Sequence, residues 1–187
     1  MPVVSDRWGC YIHIPKTSGF WVRQVLKRID VDAFEDGVAH GLPEHWGAFA
    51  PYWTVVRDPV YWLRSAYASR VEDAWAPQTK DVPWKSFCLL IHPYRTSVDF
   101  PWFVEQVTKN LPGIVGWLFD CYAPPGVEIY ECGGNIYDKL RDLGAEPELF
   151  IPRNLGKNLP EITGEIEKMI RRAEKGTYDR YNLERPD

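Results

Sequence analysis

The sequence is poor in several features that mark specialised classes of protein. Its four cysteines are scattered without a Cys-x-x-Cys pair, which disfavours a zinc site or a disulfide framework and indicates thiols in a reducing, cytoplasmic compartment. No apolar run approaches the length that spans a bilayer, and the first residues lack the pattern of a signal peptide. Basic residues are not in excess, since 22 Lys and Arg against 26 Asp and Glu give a net charge of −4. We therefore expect no membrane span, no leader and no nucleic-acid partner.

Aromatic side chains and prolines are abundant instead. The chain has 9 Trp, 10 Tyr and 8 Phe against 2 Met, and its 16 prolines supply many helix starts and loop corners. A length of 187 residues with 45% hydrophobic residues fits one domain with a substantial core. Aromatic side chains fill cores but also line ligand clefts, so their positions along the chain carry the information.

Three short segments predict strands, and each precedes a helical pattern; the first, GCYIHI, is apolar and β-branched and is predicted to be buried. The strands are predicted at 9–14, 52–56 and 127–131, and the helices that follow them at 18–30, 59–71 and 135–143. A last helix is predicted over 162–173, with Thr163 as its N-cap and Gly176 as its end. This alternation predicts an α/β fold with a mainly parallel sheet, in a single domain spanning 1–187.

Residues 75–115 interrupt the alternation, because prolines break the pattern and aromatic residues crowd it. We expect a helical, aromatic-rich insertion with short helices at 83–91 and 99–110, forming the wall of an acceptor cleft. The same rings can also form a small core of their own, and we expect both roles. Partial exposure is expected for Trp75, Trp84 and Trp102.

The first predicted strand runs into its helix through His13–Gly19, with the sequence HIPKTSG. The amide groups at a helix N-terminus and the helix dipole both favour an anion there. Lys16 adds a positive charge, and Thr17 and Ser18 add hydroxyl groups. The loop predicts a phosphate site, although only its Lys-Thr step matches the G-x-x-x-x-G-K-[ST] pattern. A surface loop with an incidental lysine is the alternative.

The second predicted strand ends at Arg57-Asp58-Pro59, and Ser65 follows about two helical turns later. Asp58 suits an N-cap and Pro59 the first helical position. Arg57 would stand at the carboxyl end of a strand, where open α/β sheets bind ligands, and a guanidinium suits phosphate. The alternative is an arginine paired with a nearby carboxylate and a serine that only packs.

Together and in this order, HIPKTSG and VVRDPVYWLRSAY resemble the sulfotransferase superfamily, above all its carbohydrate-type, bacterial and viral branch. The resemblance covers roughly 9–71 and 127–181. It implies a P-loop NTPase-like three-layer fold and the sulfuryl donor 3′-phosphoadenosine-5′-phosphosulfate, with adenosine 3′,5′-bisphosphate as product and no metal requirement. In that family the first motif binds the 5′-phosphosulfate and the second binds the 3′-phosphate.

The resemblance assigns donor-binding roles residue by residue. The 5′ site falls on the loop residues Pro15, Lys16, Thr17, Ser18 and Gly19, with Phe20 and Trp21 next in the chain. The 3′ site falls on Arg57 and Ser65. A later segment resembles the loop that closes over the nucleotide and adds Arg153, Asn154 and Lys157.

Phe20 and Trp21 depart from the pattern, because the family commonly has Thr or Ser after the glycine. Either ring could stack on a base or an acceptor. Packing against the sheet is the alternative that we favour, since such aromatic residues are usually core.

Sulfuryl transfer also needs a base for the acceptor proton and a cation for the departing phosphate. Lys16 suits the second role. His40 is the first candidate for the base, because the histidine pKa lies near neutrality, and Glu44 and His45 are the reserves.

The sequence thus predicts a sulfotransferase that acts on a hydroxyl or amine of a small molecule or glycan. A P-loop kinase or nucleotide hydrolase, and a non-catalytic nucleotide-binding module of the same fold, are the alternatives.

Overall fold

The structure is a computed structural model that describes residues 2–35, 51–68, 82–95, 99–150 and 159–183. Its strands are β1 (Val3–Ser5), β2 (Gly9–Ile12), β3 (Phe34–Glu35), β4 (Tyr52–Val56) and β5 (Glu128–Glu131). Its helices are α1 (Gly19–Ile29), α2 (Pro59–Ala68), α3 (Val82–Arg95), α4 (Phe100–Asn110), α5 (Ile114–Tyr122), α6 (Ile136–Asp142), α7 (Gly164–Ala173) and α8 (Lys175–Tyr181). A short 3-10 helix covers Pro147–Phe150. The chain is therefore an α/β protein, as predicted.

The chain divides into two compact units. The sheet unit comprises Met1–Arg57 and Asp120–Leu155, and the helical unit comprises Asp58–Phe119 and Gly156–Asp187. The single domain expected over 1–187 stays a prediction, and each unit is described by itself.

The sheet is mixed, with the strand order β3-β1-β2-β4-β5. The three predicted strands, β2, β4 and β5, are parallel to one another, with Tyr11 opposite Trp53 and Thr54 opposite Ile129. β1 is antiparallel to both β2 and β3. The sequence prediction missed β1 and β3 because they have only three and two residues, too few to show a period.

The core of the sheet unit lies between the sheet and two helices. α1 contributes Trp21, Val22 and Leu26, which recur at helical spacing, and α6 contributes Ile136 and Leu140. These side chains pack against buried residues of the strands, namely Tyr11, Trp53 and Val55. The amphipathic pattern read from the sequence for 18–30 thus gives α1, with Lys27 and Arg28 in its last turn beside the negative end of the helix dipole.

The helical unit is built around buried aromatic side chains. Trp62 of α2 meets Phe87 edge-on with ring centroids 4.9 Å apart, and it makes similar contacts with Trp84 and Phe119. Trp84 is buried, so its expected partial exposure is wrong, whereas Trp102 is 39% exposed. Much of the aromatic excess therefore forms a core, and Trp75 lies outside the described residues.

Four helices predicted for this unit are confirmed, but one helix was missed and the end of the last helix was wrong. The helices expected at 83–91 and 99–110 are α3 and α4. α5 was missed because its sequence, IVGWLFDCY, is apolar all round. The last helix is capped by Thr163, whose hydroxyl accepts the Ile166 N–H, but it ends at Ala173. Gly176 does not end it, since it lies inside α8.

Candidate functional site

The carboxyl ends of the three parallel strands meet at one edge of the sheet. β2 leads into the loop of residues 13–18, β4 ends just before Arg57, and β5 ends just before Cys132. The backbone N–H of Cys132 donates to the Val56 carbonyl at 2.8 Å, which extends the pairing of β4 and β5 by one residue. This edge is where parallel α/β sheets bind ligands.

The loop between β2 and α1 has an unusual backbone. Lys16 and Ser18 both have positive φ, 68° and 66°, and Thr17 between them does not. Such a conformation is uncommon for residues other than glycine, and it concentrates at ligand sites. Left-handed residues in such a loop can direct backbone amide groups toward one concavity, the geometry that binds anions. α1 then starts at Gly19, and the N–H groups of its first turn have no intrahelical acceptors.

Hydrogen bonds fix this loop at three points. The Thr17 hydroxyl is fully buried and donates to the Ile14 carbonyl at 2.8 Å. Arg57 donates from Nη1 to the Lys16 carbonyl at 3.4 Å. The Ser18 Oγ lies 3.0 Å from the Cys132 Sγ. The loop is therefore tied to the ends of the other two parallel strands, β4 and β5.

Gly19 is required by a close approach, since its φ is not positive. A Cβ at this position would lie 1.7 Å from Cδ2 of the His13 ring. The imidazole of His13 thus occupies the space beneath the start of α1, and any side chain at position 19 would require this ring to move.

The two aromatic residues after the glycine have different surroundings. Trp21 is buried, donates from Nε1 to the Leu149 carbonyl at 2.7 Å and meets the Tyr137 ring edge-on. Phe20 is 52% exposed. The packing role that we favoured is confirmed for Trp21 and wrong for Phe20, whose ring is exposed at the start of α1.

The predicted donor residues fall in both units and partly outside the described chain. Pro15 is buried, and Lys16 and Arg57 are half-buried in the sheet unit. Ser65 is half-buried on α2 of the helical unit. The candidates His40, Glu44, His45, Arg153, Asn154 and Lys157 lie outside the described residues, and their roles stay predictions.

Asp58 caps α2, as predicted, and has two further partners that the sequence did not indicate. Its Oδ1 accepts the Val60 N–H at 2.7 Å and the Tyr178 hydroxyl at 2.9 Å. Its Oδ2 lies 3.3 Å from Nη2 of Arg171, which also pairs with Glu167. These partners come from α7 and α8, more than a hundred residues along the chain, so no local pattern could reveal them.

Sequence reasoning also missed Cys132, because it interpreted all four cysteines as free buried thiols. The available signal was its place directly after the strand VEIYE, because the carboxyl ends of parallel strands share an edge.

The described residues lack two kinds of feature. They contain no group of three or more His, Cys, Asp or Glu side chains placed to hold a metal ion. Within the same ranges, no helix combines the length and apolar character that crossing a membrane requires.

Comparison of the chain with protein-family models, with curated proteins and with solved structures gives no match. The resemblance to sulfotransferases therefore rests on the residues of the two motifs.

Proposed function

We propose that the chain is a sulfotransferase of P-loop-like three-layer fold that uses 3′-phosphoadenosine-5′-phosphosulfate. The observation that carries the proposal is the loop of residues 15–18, with its positive φ at Lys16 and Ser18 and its tie to Arg57. Backbone amides, a lysine and an arginine at the carboxyl edge of a parallel sheet suit a polyanionic donor.

Each residue of this edge has a role in the proposal. The amide groups of the loop and of the first turn of α1 would donate to the phosphosulfate oxygens. Lys16 would stabilise the negative charge that develops on the 5′-phosphate as the sulfur–oxygen bond breaks. Thr17 would act through its backbone, because its hydroxyl already closes the loop onto Ile14. The resemblance assigns the 3′-phosphate to Arg57 and Ser65.

The transfer itself is an in-line displacement on sulfur. A bond forms between the acceptor oxygen or nitrogen and the sulfur, the bond between the sulfur and the 5′-phosphate oxygen breaks, and the acceptor proton passes to a base. His40 is the proposed base, with Glu44 and His45 as alternatives. The exposed ring of Phe20 offers an apolar surface for the acceptor or the adenine.

The contacts of Asp58 argue against the first rival, a kinase or nucleotide hydrolase. Such enzymes place a magnesium-binding acid after a strand next to the phosphate loop. Asp58 follows β4, but both of its carboxylate oxygens already have partners in the helical unit. A non-catalytic nucleotide-binding module remains the second rival, because it would share the same loop.

Thermal unfolding with different nucleotides tests the proposal. Adenosine 3′,5′-bisphosphate at a hundred times its Kd should stabilise the chain by about 2.7 kcal/mol. ATP with Mg²⁺ or AMP at the same concentration should stabilise it less. Lys16→Ala and Arg57→Ala should abolish this response, whereas Arg28→Ala, at the exposed far end of α1, should leave it intact. Stronger stabilisation by ATP with Mg²⁺ and none by the bisphosphate would overturn the proposal.

Turnover separates the enzyme from the non-catalytic module. Incubation of the sulfuryl donor with a panel of hydroxyl and amine acceptors should release adenosine 3′,5′-bisphosphate, detected by chromatography. His40→Ala should reduce this release while nucleotide binding is retained. Binding without release across the panel would favour the module.

A further inference from the structure

Cys132 contacts the loop of residues 13–18 through the side chain of Ser18. Its backbone is held at the edge of the sheet by the bond from its N–H to the Val56 carbonyl, 2.8 Å long. Its Sγ reaches the Ser18 Oγ at 3.0 Å, across 114 positions of the sequence. Because β4 lies between β2 and β5 in the sheet, this contact closes the loop over the end of the central parallel strand.

The contact replaces the usual role of a serine at this position. A serine at an N-cap normally accepts a hydrogen bond from the first turn of its helix. Ser18 is the N-cap of α1, yet its side chain makes no capping bond and meets the thiol instead. Its positive φ belongs to the same arrangement.

The direction of this hydrogen bond matters for an anionic ligand. A hydroxyl has a single proton, whereas its oxygen can accept as well as donate. When the thiol donates to Ser18 Oγ, the hydroxyl proton can point to a phosphate or sulfate oxygen. When the thiol is missing, the hydroxyl loses this restraint, and its proton is no longer directed toward the ligand.

We propose that Cys132 is a positioning residue of the donor site, whose thiol orients the Ser18 hydroxyl toward the phosphosulfate. This inference rests on the proposed function. It predicts that Cys132 acts through Ser18, and that a bound nucleotide screens the thiol, which is half-buried and within hydrogen-bond distance of a ligand-binding group.

Binding of adenosine 3′,5′-bisphosphate to a set of variants, measured by calorimetry, tests the positioning role. Cys132→Ala should weaken binding about fivefold, which corresponds to the ~1 kcal/mol of a typical hydrogen bond. Cys132→Ser should restore most of the affinity. Cys121→Ala, at another half-buried cysteine, should have no effect. In the Ser18→Ala background, Cys132→Ala should cause no further loss, because the thiol acts only through that hydroxyl.

Additive losses in the double variant, or wild-type affinity in Cys132→Ala, would overturn the positioning role. Circular dichroism shows whether each variant folds, and Cys132→Ser keeps the test alive if the alanine variant does not.

Alkylation of the wild-type chain gives a second measurement that needs no variant. Iodoacetamide labels thiols, and mass spectrometry of peptides reports the rate at each cysteine. Saturating bisphosphate should slow labelling of Cys132 at least fivefold and leave Cys121 unchanged. Equal rates at Cys132 with and without bound nucleotide would contradict the proposal.

The two proposals fail in different ways. If the wild-type chain binds none of the nucleotides, the proposed function is wrong and this inference falls with it. If the wild-type chain binds the bisphosphate but Cys132→Ala and the labelling rates show no effect, only the role of Cys132 is wrong.

Discussion

In the sheet unit, the Asp30 carboxylate accepts hydrogen bonds from Ser5 and Asp32, whereas in the helical unit Glu174 is buried against the first turn of α5. The Ser5 hydroxyl, followed by the Asp32 N–H, lowers the pKa of Asp30. Burial raises the pKa of Glu174, although Thr177 and the N–H groups of α5 donate to it. Hydrogen bonding therefore dominates the pKa of Asp30, and desolvation dominates that of Glu174.

Acid can therefore change the stability contributions of two carboxyls of one chain in opposite directions. A carboxyl whose folded pKa is lowered contributes stability that is lost as pH falls through that pKa. A carboxyl whose folded pKa is raised contributes stability that is lost as pH rises instead. The reason is that its folded state binds the proton more tightly than the unfolded chain does. The following predictions change one unit at a time.

The largest effect is expected at the aromatic core of the helical unit. Trp62→Ala should lower the free energy of unfolding by about 3–5 kcal/mol, because it leaves a cavity among three rings. Urea denaturation measures the loss. Trp102→Ala, at a ring that is 39% exposed, is the control and should cost far less. Similar losses for the two variants would contradict the aromatic core.

A smaller loss of stability is expected at Tyr178, whose hydroxyl donates to the Asp58 cap of α2. Tyr178→Phe removes the hydroxyl that donates to Asp58, and a hydrogen bond to a charged group contributes about 1.5–3 kcal/mol. The same denaturation measurement applies, with Tyr61→Phe as the exposed control on α2. An unchanged midpoint in Tyr178→Phe would show that Val60 and Arg171 suffice for Asp58.

The next largest effects are the opposite pH dependences of stability expected from Glu174 in the helical unit and Asp30 in the sheet unit. For the Glu174 carboxyl, the raised folded pKa means that stability is present below the unfolded pKa and declines as pH rises to the folded pKa. One such group changes the slope by at most about 1.4 kcal/mol per pH unit. In the wild-type chain this group should make the unfolding free energy decline between pH 4 and 7. In Glu174→Gln that part of the decline should be absent.

Asp30→Asn is the matched variant of the sheet unit, and its effect should have the opposite sign. The lowered pKa of Asp30 gives stability above the unfolded pKa that is lost as pH falls, so the asparagine variant should lose less stability on acidification than the wild-type chain. If Glu174→Gln and Asp30→Asn changed the pH dependence of the unfolding free energy in the same direction, the contrast between the two carboxyls would be wrong.

The smallest effect is expected at Phe20. Phe20→Ala should change the free energy of unfolding by less than about 0.5 kcal/mol, because the ring is largely exposed. The same variant should weaken acceptor or nucleotide binding if the ring serves the site, as titration calorimetry would show. A large loss of stability would mean that the ring packs as Trp21 does.

The sequence predicted the local elements more fully than their long-range partners. β2, β4 and β5, α1 and the cap at Asp58 each depend on neighbouring residues, whose spacing is visible in the sequence. β1 and β3 are too short to show a period and form because they pair with other strands.

The candidate site divides in the same way. The loop of residues 13–18 was found from its own residues, but the positive φ of Lys16 and Ser18 was not. The inward turn of the Thr17 hydroxyl and the contact between Ser18 and Cys132 depend on tertiary structure. Residue types thus indicated the position of the site, and only the folded chain showed which groups already have partners.

The bond from Thr17 to Ile14 has a consequence for the energetics of recognition. A loop that is closed on itself, with two residues already in rare backbone conformations, has little disorder left to lose when a ligand arrives. Its ordering took place when the chain folded. The affinity of this loop for an anion should therefore be limited by the removal of water from the anion and from Lys16 and Arg57.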